Sequence, residues 1–186
     1  MAWRHRKTGP NRRGLRRART RIRRGSAVKI EYFHASRYGN GVRVAEEFAR
    51  QMGHKGSSVS IHRMRGSKPK EMPPADLYVF SSPGRMGKPT WDVQGFLKKA
   101  NLPAGTRYAI LTTEGAPQPD KKTGRMPTEE EIARWQRVRP IMNEILLKRG
   151  FVKVAEGKVH VTGMKGPLEH GWEAKVANFV AQMPLT

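Results

Sequence analysis

The sequence predicts an α/β domain in which a parallel sheet carries helices on both faces. Apolar runs of strand length alternate five times with segments of helical periodicity. Two of these runs, at 77–80 and 108–111, are apolar throughout, which is typical of strands covered on both faces. In addition, polar segments rich in glycine or proline directly follow three of the strands, which predicts loops at one edge of the sheet.

The first half of the pattern predicts three strands and two helices. The apolar residues of the first helix recur at intervals of three and four, which places them on one face. The second strand alternates with period two and therefore belongs near an edge. The predicted elements are a strand at 28–33, a helix at 41–52, a strand at 59–64, a strand at 77–80, a loop at 81–89 and a helix at 91–100.

The second half predicts two more strands and two helices. Thr128 and Glu131 have the spacing of a capping box, so we expect one helix to begin there, with a kink at Pro140. The predicted elements are a strand at 108–111, a loop at 112–117, a further polar loop to residue 127, a helix at 128–150, one split or bulged strand comprising 151–154 and 158–161, and a helix at 172–183. The helical spacing of Trp91, Trp135 and Trp172 with other apolar residues assigns all three to the core.

Three of the predicted loops follow the carboxyl ends of strands, where parallel α/β sheets bind ligands. In the first loop, at 36–41, Gly39 and Gly41 allow a sharp turn and a close backbone approach. The N–H groups at the start of the following helix form an anion site, and a phosphate is the expected ligand. A plain helix-capping turn is the alternative. We expect His34, which precedes this loop, to pack or cap rather than to act as a base.

The positive charge is concentrated at the N-terminus. The chain of 186 residues has a net charge of +22, and eleven of its 37 Lys and Arg residues lie at positions 1–26, which hold no Asp or Glu. Because this segment has few apolar residues and many like charges, it predicts a disordered basic arm, and residues 27–186 predict one domain. A further possibility is that Val28 is the true start, if a valine codon initiates.

Composition also excludes several kinds of site. The chain has no cysteine, which excludes disulfides, thiolate metal sites and cysteine nucleophiles, and its histidines lack a metal-site spacing. No apolar run reaches the roughly 18 residues that span a bilayer. No apolar segment follows the Arg-Arg pairs of the arm as an export signal requires. We therefore expect a cytoplasmic protein with no membrane span and no metal site.

The chain resembles the flavodoxin family over about residues 28–183. Ser36, Gly39 and Asn40 are in register with the family's Ser-x-Thr-Gly-Asn-Thr phosphate loop, and the Ser-Arg-Tyr-Gly-Asn form is similar to flavodoxin-like domains of the oxidoreductase type. The resemblance implies a doubly wound five-stranded parallel sheet of order 2-1-3-4-5 that binds FMN. The cofactor-binding residues that it implies are Ser36, Arg37, Tyr38, Gly39, Asn40 and Gly41 in the first loop, Ser82, Pro83, Gly84, Arg85, Met86 and Gly87 in the second, and Thr112, Thr113, Glu114 and Gly115 in the third.

The chain departs from the family pattern in three ways. Tyr38 and Gly41 replace two hydroxyl residues of the phosphate loop, although Arg37 can add a charge-assisted contact. The second loop has no Trp or Tyr to stack on the flavin, so Met86 or Arg85 is the candidate to cover one face of the ring. The chain is also basic, whereas flavodoxins are usually acidic.

The resemblance implies electron transfer or flavin-dependent reduction, with a redox partner protein or a small quinone-like acceptor. A reductase needs a cleft for NAD(P)H and a carrier does not, and without a nicotinamide fingerprint the sequence leaves open whether the protein is an enzyme. The alternative is a nucleic-acid-associated protein, which would use the basic arm for nonspecific contact and would have a flavodoxin-like body without cofactor. The oligomeric state also stays open.

Overall fold

The computed structural model describes residues 27–184, so the predicted arm at 1–26 lies outside the described residues. The elements in chain order are β1 (Lys29–His34), α1 (Asn40–His54), β2 (Ser58–Arg63), β3 (Leu77–Ser81), β4 (Gly84–Arg85), β5 (Lys88–Pro89), α2 (Trp91–Lys99), β6 (Arg107–Gly115), α3 (Glu129–Trp135), α4 (Val138–Leu147), β7 (Val152–Val161) and α5 (Trp172–Ala181). No helix within 27–184 is long and apolar enough to cross a membrane.

Five strands form one parallel sheet in the order β2-β1-β3-β6-β7. Since β6 and β7 are its fourth and fifth strands, this confirms the predicted order 2-1-3-4-5, with β2 at an edge as expected. The last strand is not split, because residues 155–157 pair with β6, but its register skips Val154, so it is bulged, which is the second of the two forms that the sequence predicts.

A separate hydrophobic core lies on each face of the sheet. On one face, α1 and α5 pack against each other and against the sheet through residues such as Phe48, Trp172 and Phe179. On the other face, α2 and α4 cover the sheet through residues such as Phe96 and Met142. Burial on both faces explains why β3 is apolar at all but its last position. The carboxyl ends of the strands remain free to carry loops.

Three predicted elements differ from the structure. The expected loop at 81–89 contains the hairpin β4–β5. The fourth strand extends to Gly115 instead of ending at residue 111, because its polar end continues the ladder with β7. The expected single helix is two helices that break at residues 136–137. The ring of a proline clashes with the carbonyl four residues earlier, so Pro140 fits the first turn of α4 but cannot continue a helix through Gln136.

Two of the three tryptophans assigned to the core are not buried. Trp172 is buried, whereas Trp91 is 89% exposed and Trp135 is 47% exposed. In α2 the buried face consists of Val93, Phe96 and Leu97. At about 100° per residue, Trp91 lies on the opposite side of that helix, so the assignment was wrong.

Candidate functional site

The first loop connects β1 to α1 and is held in shape by two side chains. The ring Nδ1 of His34 accepts a hydrogen bond from the N–H of Ser36 at 3.3 Å, which confirms a capping role for this histidine. The Ser36 hydroxyl in turn accepts the N–H of Gly41 at 3.1 Å. Gly39 takes the left-handed conformation, with φ of 86°, as the N-cap of α1. These contacts bend the chain tightly over the start of the helix.

The bend leaves backbone donors available for an anion. Within residues 27–184, no protein acceptor bonds the N–H groups of Tyr38, Gly39 or Asn40, and the first turn of α1 has no acidic residue. The 15-residue helix adds the positive end of its dipole to the same place. Arg37 is exposed beside it, with its guanidinium 5.6 Å from the centre of the Tyr38 ring. The loop therefore has the donors and the charge that a phosphate requires.

The side chain of Asn40 is hydrogen-bonded to a loop that lies far from it in the sequence. Its amide Nδ2 donates to the carbonyl of Lys165 at 3.1 Å, across 125 positions of sequence. At Gly166, with φ of 128°, an added Cβ would come within 3.1 Å of the Asn40 amide. The loop between β7 and α5 thus packs against the phosphate loop. Sequence reasoning missed this contact because its partners are 125 positions apart and no local pattern marks either of them.

The second loop is a hairpin with a fixed base and an exposed tip. At the base, Ser82 is buried, and its carbonyl accepts the N–H of Thr113 at 3.1 Å, while Pro83 bridges to the same residue. At the tip, Arg85 is exposed and Met86 is 92% exposed, with φ of 49°. Of the second-loop residues, Arg85 and Met86 therefore present side chains at the carboxyl edge of the sheet.

The third loop is not a loop at 112–115. Thr112, Thr113, Glu114 and Gly115 all lie within β6, and the first three are buried, so the chain leaves the strand at Ala116. The Glu114 carboxylate accepts the Thr112 hydroxyl at 2.6 Å and Arg139 Nε at 3.3 Å through one oxygen. Its other oxygen is buried without a hydrogen-bond partner among the described residues. Glu114 is thus buried near the carboxyl end of β6, and one of its carboxylate oxygens accepts no hydrogen bond from the described residues.

The junction of α3 and α4 joins the second and third loops. Gly87 packs so closely on this junction that an added Cβ would lie 1.7 Å from the carbonyl oxygen of Trp135. The N–H of Arg137 donates to the Gly87 carbonyl at 2.6 Å, and Gln136 Nε2 donates to the Gly115 carbonyl at 2.7 Å. The half-exposed Trp135 is therefore fixed beside both loops. Its helical spacing gave no signal of this position.

Comparison with known proteins agrees with the topology. No protein-family model matches the sequence, and no curated protein matches it. Flavodoxin 1 from Bacillus cereus matches 83% of this chain and 95% of its own, with a TM-score of 0.58 and 18% identity. The rubredoxin oxygen:oxidoreductase of Desulfovibrio gigas matches 83% of this chain at a TM-score of 0.59 and 14% identity, and a flavodiiron core from Synechocystis matches 84% at 0.55 and 18%.

These similarities define the class to which the structure belongs by its fold. The chain has the flavodoxin-like fold, as the sequence predicts. It spans 34% of the D. gigas protein and 36% of the Synechocystis chain, so it is similar to one part of each. Among its structural neighbours are therefore both a single-domain flavodoxin and larger proteins that contain such a domain.

Proposed function

We propose that this chain binds FMN non-covalently and acts in electron transfer or flavin-dependent reduction, with a redox partner protein or a small quinone-like acceptor. The observation that carries the proposal is the turn before α1, where three successive N–H groups, of Tyr38, Gly39 and Asn40, have no protein acceptor within residues 27–184 and follow the carboxyl end of β1. In a flavodoxin-like fold this is the edge at which a nucleotide phosphate binds.

The residues around this edge fit different parts of the cofactor. The three N–H groups and Arg37 would hold the phosphate, while Ser36 and Gly41 keep the turn in shape. Arg85, Met86 and Gly115 lie where the ring would bind, and the buried Glu114 has an acceptor without a partner behind it. Bound FMN would supply the redox chemistry. The protein residues would bind it, orient it and set the charge around it.

A pair of glycine substitutions in α1 tests the phosphate assignment. A Cβ at Gly41 would lie 3.1 Å from the Ser36 Cβ and 3.4 Å from its hydroxyl, so Gly41→Ala must push apart the contact that shapes the turn. We expect it to weaken FMN binding by about 1–3 kcal/mol. Gly53→Ala is the matched control, because Gly53 lies in the same helix and an added Cβ there would meet nothing within 4 Å.

The measurement is a fluorescence titration of apoprotein with FMN, after a spectrum of the purified protein has tested for bound flavin. Circular dichroism of both variants checks that the helix persists. Failure of the parent protein to bind FMN would refute the proposal. Equal affinity of Gly41→Ala and the parent would place the phosphate elsewhere.

A second candidate function is nonspecific nucleic-acid contact. The observation that favours it is the charge of the arm, because eleven of the 37 Lys and Arg residues lie at positions 1–26, which hold no Asp or Glu. Cations that neutralise phosphates release counterions whatever the sequence of the nucleic acid. A truncation described in the Discussion tests this candidate.

A further inference from the structure

A cleft of about 360 Å³ lies beside the α3–α4 junction, outside the residues assigned to the phosphate. One of its walls is the segment after β6, which contributes Ala116, Asp120 and Arg125, and the other is α3 with Trp135. Because Ala116 directly follows the end of β6, and Trp135 packs on Gly87, the cleft adjoins two of the three loops assigned to the flavin. Its volume is within the range of small-molecule sites.

The cleft has a rigid aromatic wall. None of the α3 residues is buried, and the indole of Trp135 is 47% exposed. Its position is nevertheless fixed, since the Trp135 backbone packs on Gly87 and the next residue, Gln136, donates to the Gly115 carbonyl. An exposed indole on a fixed backbone offers a flat apolar face on which a ring can stack.

The side chains that line the cleft carry one net negative charge, whereas the domain as a whole is basic. Arg125 pairs with Glu131 through two contacts, of 3.1 and 2.7 Å, so these two charges cancel. This leaves the carboxylate of Asp120, of which one oxygen accepts three hydrogen bonds from Lys122 and Thr123. Those bonds hold the pKa of Asp120 below its usual range, so the carboxylate is charged at neutral pH. The lysines at 121 and 122 do not line the cleft.

We propose that this cleft binds a flat aromatic cation of the pyridinium class, stacked on Trp135 with its charge towards Asp120. Tryptophan gives the strongest cation–π attraction among the aromatic side chains, and an adjacent carboxylate favours a cation over a neutral ring of the same shape. An oxidised nicotinamide is a ring of this class. Because the reduced, hydride-donating form of nicotinamide is uncharged, such a site would favour the oxidised ring, which accepts a hydride, and a role for this ring in the redox reaction rests on the proposed FMN function.

The test compares three small probes on the full-length protein, with and without FMN. They are 1-methylnicotinamide, which is a cation, nicotinamide, which is neutral, and benzoate, which is an anion. Ligand-observed NMR titration gives each affinity without relying on tryptophan fluorescence. We expect the cation to bind at least about tenfold more tightly than the neutral ring, and benzoate to bind most weakly.

Substitutions in the cleft assign that preference to its residues. Trp135→Leu should weaken cation binding about tenfold, and Trp135→Phe should restore part of it, since a benzene ring gives a weaker cation–π attraction. Asp120→Asn keeps the acceptor of the turn but removes the charge, so it should reduce the preference for the cation. Trp91→Leu is the matched control, because Trp91 is 89% exposed on α2 and does not line the cleft.

Equal binding of the cation and the neutral ring would overturn the inference, and so would unchanged binding by Trp135→Leu or an unchanged preference in Asp120→Asn. The inference and the proposed function can fail separately. If the protein prefers the cation but does not bind FMN, the inference about the cleft stands and the proposed FMN function is wrong. If the protein binds FMN without that preference, the proposed function stands and the inference about the cleft is wrong.

Discussion

His34 shows how one side chain supports the turn between β1 and α1 and also makes it sensitive to acid. Its Nδ1 must be unprotonated to accept the Ser36 N–H, and the residue is 5% exposed. Burial lowers the pKa of His34 below 6.5, and the positive charge of Arg63 lowers it further. The unfolded chain therefore takes up a proton at this residue more readily than the folded one.

The expected result is a loss of stability in mild acid. Because the pKa of His34 is lower in the folded state, its contribution is fully present above about pH 6.5 and is lost as the pH falls below that value. His34→Asn keeps an acceptor for Ser36 but does not titrate, so its unfolding free energy should fall less between pH 7 and pH 5. Urea unfolding at both pH values measures this, with the exposed His170→Asn as control. A parallel fall in the parent and in His34→Asn would contradict the prediction.

At the residue scale, sequence predicts contacts between near neighbours better than contacts across the fold. The capping box of Thr128 and Glu131 spans three positions and is confirmed, with bonds of 2.8 and 3.3 Å. The contact of Asn40 with Lys165 spans 125 positions, and no local pattern marks it. The roles assigned to the cofactor-binding residues stay predictions, although the structure corrects the local conformation of residues 112–115, which form the end of β6 and not a loop.

At the element scale, the hairpin of β4 and β5 depends on a glycine at its tip. Gly87 has φ of 71°, and a Cβ there would lie 1.7 Å from the backbone oxygen of Trp135. Gly87→Ala must therefore separate the hairpin from the α3–α4 junction. We expect a loss of about 2–4 kcal/mol in unfolding free energy, from the strained backbone and the steric clash together.

Gly105→Ala separates the effect of the strained backbone from the effect of the steric clash. Gly105 also has a positive φ, of 83°, but an added Cβ there would meet nothing within 4 Å, so its loss should be limited to the backbone strain, about 1–2 kcal/mol. Chemical denaturation of both variants gives the comparison. Equal losses of unfolding free energy in the two variants would show that the packing of Gly87 on Trp135 contributes nothing to stability.

Elements set by apolar periodicity were predictable, and elements set by tertiary contacts were not. The strands at β1 and β3 and the helix α1 agree with their predictions to within one or two residues, because apolar spacing fixes them. The polar end of β6 is a strand because β7 pairs with it, and β7 is some forty residues further along the chain. The hairpin likewise depends on the α3–α4 junction, which its own sequence does not encode.

At the scale of the whole molecule, the topology followed from the number and order of the elements. Five apolar runs alternating with helices allow few arrangements, since parallel crossovers share one hand and ligands bind beyond the carboxyl ends. The observed order agrees with the one that the family resemblance implies. The charge distribution is a second property of the whole chain, and it separates the domain from the basic arm.

Removal of the basic arm should separate the two candidate functions. A chain of residues 27–186 loses eleven basic residues and half of the net charge, but it keeps every strand and helix that the structure describes and the three loops proposed to bind flavin. We expect it to keep its FMN stoichiometry and to lose most of any affinity for DNA or RNA. The slope of log affinity against log salt concentration should become less steep by about 0.9 for each duplex phosphate that the arm neutralises in the full chain.

Flavin analysis and salt-dependent binding isotherms on both chains measure these effects. Loss of flavin would show that the domain begins before residue 27, and an unchanged salt slope would place the nucleic-acid contact on the domain itself.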